Sequence, residues 1–147
     1  MEEISALKTD LYEFSMAAGY FNGYEKTIAT FELFLFNLPP NRGYIIAAGL
    51  ADATNFIKNL KFQDAEIDYL KTHPFLKNVD AAFFEYLRNL KFTGDVSAVP
   101  EGTVVFENEP IIQITAPIIE AQILETYLLS LFHISSLVAT KASRVVG

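Results

Sequence analysis

Residues 118–146 read IIEAQILETYLLSLFHISSLVATKASRVV, and the reading of this stretch decides the architecture. Pro117 stands before it, a residue type that opens helices but breaks their interiors. Beyond it the apolar residues Ile119, Ile123, Leu124, Leu128, Leu131 and Phe132 return every three or four positions, and the pattern continues through Ile134 and Val138. Almost no solvent-facing stripe is left, so the spacing predicts one long helix packed on several sides. Glu120 and Glu125 lie toward its amino end and Lys141 and Arg144 toward its carboxyl end, the order that complements a helix dipole. Glu120, Gln122, Glu125 and His133 interrupt the apolar run, which argues for a buried soluble helix over a membrane span.

Upstream of the helix, Val96 to Val99, Thr103 to Phe106 and Ile111 to Thr115 are short β-branched runs divided by Pro100-Glu101-Gly102 and Glu107-Asn108-Glu109-Pro110. They predict three strands of one compact sheet. Further back, helical spacing places Leu50, Ala53, Ile57 and Leu60 on one face, a helix over Asp64 to Thr72 turns Ile67 and Leu70 inward, and Asp80 caps a helix carrying Phe83, Phe84 and Leu87. Thr30 to Leu38 (TFELFLFNL) predicts a strand with two apolar faces, covered on both sides. Pro39-Pro40-Asn41-Arg42-Gly43 ends it, and Tyr44 to Ala48 returns as a second strand. Near the start, Thr9 or Asp10 caps a helix reaching about Tyr20, with Asp10 and Glu13 spaced as an acidic capping box. The helix exits FIKNLKF (56–62) and YLRNLKF (86–92) are alike, but over too short a length to define a repeat. The whole is an α+β chain of one domain, 1–147: a helix-strand segment 1–92, a small β segment 93–116 and the long helix 118–146.

The 147 residues suffice for one buried core, and 13 Phe with 7 Tyr and no Trp make that core aromatic-rich. A mean hydropathy of +0.24 leaves apolar surface to meet a partner or a further domain. Eighteen acids against eleven bases give a net charge of -7, which opposes non-specific binding to nucleic acid. Without cysteine there are no disulfides and no thiolate chemistry, which suits a cytoplasmic location, and Met1 to Asp10 lacks the basic and apolar regions of a signal peptide.

Self-contained catalytic motifs are missing. No GxGxxG or GxxxxGK[ST] loop cradles a phosphate, no GxSxG elbow carries a nucleophile, and His73 and His133 stand far apart without acids at metal-ligand spacing. His133, within the apolar helix, reads as a core imidazole bonded to a serine or carbonyl ahead of a catalytic group. His73, before Pro74, reads as a solvated turn residue. Asp64, Glu66 and Asp68 read as a solvated face, and Glu107 and Glu109 flank a hairpin. Thr9-Asp10-Leu11-Tyr12-Glu13 stands apart, because it sets a carboxylate and a phenol together at a helix start. On spacing alone, capping is the stronger explanation of Asp10.

The same string, followed by Ser15-Met16-Ala17-Ala18-Gly19-Tyr20, resembles the opening of nicotinate phosphoribosyltransferases. Phe31-Glu32-Leu33-Phe34, Leu38-Pro39-Pro40-Asn41-Arg42-Gly43-Tyr44, Ala47-Ala48-Gly49-Leu50 and Tyr86-Leu87-Arg88-Asn89 continue in that family's order. So do Phe92-Thr93-Gly94-Asp95-Val96, Val99-Pro100-Glu101-Gly102, Asn108-Glu109-Pro110 and Ala139-Thr140-Lys141-Ala142. The resemblance implies the α/β hammerhead-like N-terminal domain of a type II phosphoribosyltransferase, ending in a long buried helix, with the catalytic α/β barrel absent from these residues. It implies an enzyme that joins nicotinate to phosphoribosyl pyrophosphate, giving nicotinate mononucleotide for NAD synthesis. Mg2+ and ATP are expected for the complete enzyme, with no cofactor held by this chain and no membrane or nucleic-acid partner. A homodimer or higher oligomer is implied as well, with Tyr12 stacking on nicotinate in a neighbouring subunit's barrel and Asp10 orienting it. Arg144 is a weaker candidate for substrate binding, since bases at a helix end commonly serve the dipole. Ser130-Leu131-Phe132-His133 departs from the family's asparagine- and glutamine-containing segment. From a different class comes the alternative of a non-catalytic oligomerisation or small-ligand-binding domain of the same fold.

Overall fold

The computed structural model describes residues 4–34, 38 and 40–146. In chain order these form α1 (Leu11–Tyr20), β1 (Ile28–Phe34), β2 (Ile45–Ile46), α2 (Leu50–Lys58), α3 (Asp64–Thr72), α4 (Ala81–Asn89), β3 (Asp95–Ala98), β4 (Val104–Val105), β5 (Pro110–Pro117) and α5 (Ile118–Val146). The fold is mixed helix and sheet, and α5 is its axis.

Local chemistry explains the short helices. Asp80 accepts from the Ala82 amide at the start of α4, and Gln63 with Glu66 forms a reciprocal capping box at the start of α3. Ile67, Leu70, Phe83 and Leu87 are fully buried as their spacing predicts. Phe83 meets Phe21 and Phe84 edge-on at 5.7 Å, the geometry that aromatic quadrupoles favour. Glu66 is not part of a solvated face, because it is half-buried and also accepts from Ser5.

The three β-branched runs do not share one sheet. β5 lies between β1 and β3, all antiparallel, whereas β4 pairs with β2 in a separate two-stranded sheet. The Pro100-Glu101-Gly102 turn causes this. Gly102 adopts a left-handed φ of 83° and donates to the Ala47 carbonyl, and Ala47 donates back to Thr103, so the segment is drawn onto β2. The predicted strand over 30–38 begins earlier, at Ile28, and positions 35–37 fall outside the described residues. Within β1 only one face is covered: Ala29, Phe31 and Leu33 are half-buried toward the core, while Ile28, Thr30 and Glu32 are exposed. An antiparallel sheet with a helix on one side keeps its other side wet. There Thr30 bonds Thr115 at 2.9 Å and Gln113 donates to Glu32 at 2.7 Å, each pair directly opposite across the β1–β5 ladder.

The packing of α5 also corrects the sequence reading. Ile119 through Leu124 are sealed, as are Leu128 and Phe132, but from there on only one stripe is buried, and it is polar: Ser136 and Thr140. Thr140 accepts from the Ile46 amide at 2.8 Å and Ser136 from the Ala48 amide at 3.1 Å, so two hydroxyls fasten the helix to the β2 segment. On the opposite side Ile134 and Val138 are each 64% exposed. By length and composition alone α5 could cross a membrane, and its first third is enclosed by this domain.

Candidate functional site

The start of α1 is held against the middle of α5. The Asp10 amide donates to Thr126 Oγ1 at 2.8 Å, and the Thr9 and Thr126 hydroxyls are 2.7 Å apart. Asp10 occupies the N-cap position with extended backbone, but its side chain makes no capping bond. The expected acidic box is therefore not formed. Glu13 turns inward and becomes fully buried, accepting at Oε2 from the Gln122 amide, which also donates to Glu125 Oε2 at 2.8 Å. Glu13 Oε1 has no partner of hydrogen-bond geometry.

Tyr12 lies beside this buried carboxylate and is 46% exposed. Desolvation lifts its phenol well above the usual 10, followed by the adjacent Glu13 and then by Glu125 and Asp10. The phenol stays protonated and neutral over the working range of pH. Burial likewise raises the Glu13 carboxyl; Gln122 and Tyr12 pull it down, while Glu125 and Asp10 push it further up. A carboxyl raised on folding binds more protons in the folded state, so its penalty grows as pH climbs from the unfolded value toward the folded one. Glu13→Gln is expected to stabilise the chain at neutral pH and to flatten the decline in stability that begins near the ordinary 4.5. Denaturant midpoints measured between pH 4 and 8 check this, and parallel profiles for the two proteins would refute it.

Asp10, exposed, joins Tyr12 at this corner, but Arg144 does not. It is exposed near the far end of α5, eighteen residues beyond Thr126, or about 27 Å along the helix axis. His133 is exposed rather than a core imidazole, because the buried stripe passes through Phe132 and Ser136 instead. It borders an apolar groove of about 520 Å³ between β1, β5 and α5, lined by Leu33, Ile111 and Phe132 among others. His73 ends α3, its ring stacked 5.7 Å from Phe75. Among the described residues no group of three or more His, Asp or Glu is arranged to hold a metal ion.

Sequence reasoning missed Gln122, Glu125 and Thr126 as the shell behind Tyr12. Gln122 carried the available signal: an amide on the most deeply apolar face of a helix needs a polar partner.

Fold and side chains together define a mixed α+β domain that presents an aromatic ring at an acidic corner. A family model described as nicotinate phosphoribosyltransferase N-terminal domain matches residues 7–133. The chain is 46% identical over 146 residues to nicotinate phosphoribosyltransferase pncB2 of Mycobacterium tuberculosis, covering 99% of this chain and 31% of that one. It is 43% identical to the Bacillus subtilis nicotinate phosphoribosyltransferase, covering 97% and 29%. The crystal structure of the human enzyme superposes with a TM-score of 0.84 at 40% identity, over 92% of this chain and 27% of that one. The chain belongs to the nicotinate phosphoribosyltransferase family, and it spans about three tenths of the length of the curated relatives it matches.

Proposed function

We propose that this chain supplies the hammerhead-like N-terminal part of a nicotinate phosphoribosyltransferase, which joins nicotinate and phosphoribosyl pyrophosphate into nicotinate mononucleotide and pyrophosphate. The observation that carries the reading is Tyr12: within the TDLY segment of a family member, its ring stands 46% exposed on a scaffold that is otherwise tightly bonded. A pyridine stacked on that ring gains about 0.5–1.5 kcal/mol beyond area burial, enough to position it but too little to break the bond between the anomeric carbon and pyrophosphate. Bond breaking needs groups that stabilise departing pyrophosphate. Mg2+ and ATP belong to the whole enzyme in this proposal; among the described residues no three acids or histidines gather to hold a metal ion, and no step here passes through either group. Cytoplasmic operation as a dimer, with Tyr12 and Asp10 serving a partner's barrel, belongs to the same proposal.

Nicotinate-dependent pyrophosphate release tests it, measured with the chain alone and with the chain mixed with the complementary portion of the Bacillus subtilis relative. Release is expected only in the mixture, and turnover by the chain alone would overturn the dependence. In the mixture Tyr12→Ala should lower kcat/KM roughly tenfold, mostly through KM, whereas Tyr12→Phe keeps the stacking face and most of the rate. A second reading, association without catalysis, draws on the exposed Ile134 and Val138. It predicts stable soluble dimers in light scattering and an inactive mixture.

A further inference from the structure

Asn22 is the one asparagine of the 147 residues that precedes a glycine, and it stands exposed in the turn between α1 and β1. That order matters chemically. The backbone nitrogen of the following residue can attack the side-chain carbonyl carbon of an asparagine, and a Cβ on that residue hinders the approach; glycine has none. Gly23 takes a left-handed φ of 109°, and nothing lies within 4 Å of where its Cβ would stand. The Asn22 side chain is tied back through Nδ2 to the Ala18 carbonyl at 3.4 Å, longer than the usual N–H to oxygen bond. Asn22 also borders a polar cleft of about 390 Å³ shared with Ser15, Asn78 and Asp80, which gives water room beside it. One neighbour opposes the attack. The Gly23 amide donates to Glu25 Oε2 at 3.2 Å, and the attacking form of that nitrogen is the deprotonated one. A carboxylate that accepts from the N–H favours keeping the proton, and its charge repels the anion formed when the proton leaves.

We infer that Asn22-Gly23 is a self-modification site of this chain, a succinimide-forming turn whose rate Glu25 restrains. Hydroxide takes the Gly23 amide proton, and the nitrogen's electron pair forms a bond to Asn22 Cγ. The Cγ–Nδ2 bond breaks, and Nδ2 leaves as ammonia with a proton returned from water. Water then opens the ring, and nothing is oxidised or reduced. Breaking the new bond to Cγ leaves aspartate. Breaking the bond to the Asn22 backbone carbonyl carbon leaves isoaspartate, whose main chain runs through the former side chain and is one carbon longer. Either product sets a carboxylate near Glu25 and just past the carboxyl end of α1, the end at which a helix dipole disfavours negative charge. Isoaspartate also lengthens the turn that leads into β1. Just past that turn the Thr27 carbonyl accepts from the Ile118 amide at 2.8 Å, at the first residue of α5, so the modification loosens the joint of α1, β1 and α5.

The test incubates the intact chain near neutral pH and maps its peptides by mass spectrometry, with isoaspartate read by methyl transfer from a protein isoaspartyl methyltransferase. Asn22 should convert on the order of tenfold faster than the other asparagines, and Asn22→Gln should remove this early conversion. Both products should form, at a rate that climbs with pH. Glu25→Gln should speed the conversion roughly fivefold in the folded chain, and in concentrated urea the two rates should come together. Added salt should raise the parent's rate toward that of the variant, which tests the restraint even if Glu25→Gln fails to fold. Conversion of Asn22 no faster than that of other asparagines, or aspartate as the sole product, overturns the inference. So does a parent rate that neither salt nor Glu25→Gln increases, or an acceleration that persists undiminished in urea.

Discussion

Gly94→Ala is expected to cost the fold about 2–3 kcal/mol, the upper range for overpacking, although it adds a single methyl group. A Cβ at position 94 would stand 2.4 Å from both Ala116 Cβ and the Thr115 carbonyl oxygen, and 2.8 Å from Ala116 Cα. None of these atoms can swing aside by changing rotamer, since two are backbone and the third is an alanine methyl. Relief requires the segment leading into β3 to lift off β5, where Asp95 pairs with Thr115. Gly102 makes the contrast: its φ of 83° strains a side chain, but nothing lies within 4 Å, so Gly102→Ala should cost only about 1 kcal/mol. Urea denaturation of the two variants separates the mechanisms. A Gly94→Ala midpoint at or above that of Gly102→Ala would show that close approach does not set the need for glycine here.

Elements whose signals are local were legible in the sequence. Asp64–Thr72 emerges with the predicted ends because a cap, an apolar stripe and a proline two residues later all lie within one short window. The 29-residue α5 was equally plain. Its environment was not, because an apolar period reports what can be buried, while the covering is set by which elements arrive. Past Phe132 the partner is the polar backbone of the β2 segment, so Ser136 and Thr140 are enclosed and Ile134 is left outside. Strand partners were hidden for a similar reason. Val104–Val105 looks like its β-branched neighbours, and only the two-way hydrogen bonding with Ala47, more than fifty residues away, assigns it to β2. At the candidate site, the Asp10 and Glu13 spacing fits a local box as well as it fits a buried acid. The amide that decides between them, Gln122, lies 109 residues downstream. Tyr12 was found by resemblance and not by periodicity, since neither composition nor spacing distinguishes a presented phenol from an ordinary surface one.

Glu120→Ala should cost about 2–3 kcal/mol, more than its single position suggests. Its carboxylate, nearly buried at the start of α5, accepts from the Thr93 amide at 2.6 Å and from the Thr93 hydroxyl at 3.0 Å. Alanine leaves both donors without a partner, whereas Glu120→Gln keeps one acceptor and should cost closer to 1 kcal/mol. The same carboxylate adds to the upward shift of the Tyr86 phenol, after burial and ahead of Glu25. Spectrophotometric titration of Glu120→Gln should therefore show Tyr86 ionising at lower pH than in the parent chain, though still raised, because burial is the larger cause. Thr93 and Gly94 are adjacent, so the two substitutions act on one tether between β3 and the β5–α5 corner. Once Gly94→Ala has lifted that segment, Thr93 has already lost much of its bond to Glu120. The double variant should then lose less than the sum of the single losses, by roughly 0.5–3 kcal/mol of coupling. Strict additivity would mean that the glycine contact and the carboxylate bond hold separate pieces of structure, and that the strand can be displaced at one without disturbing the other.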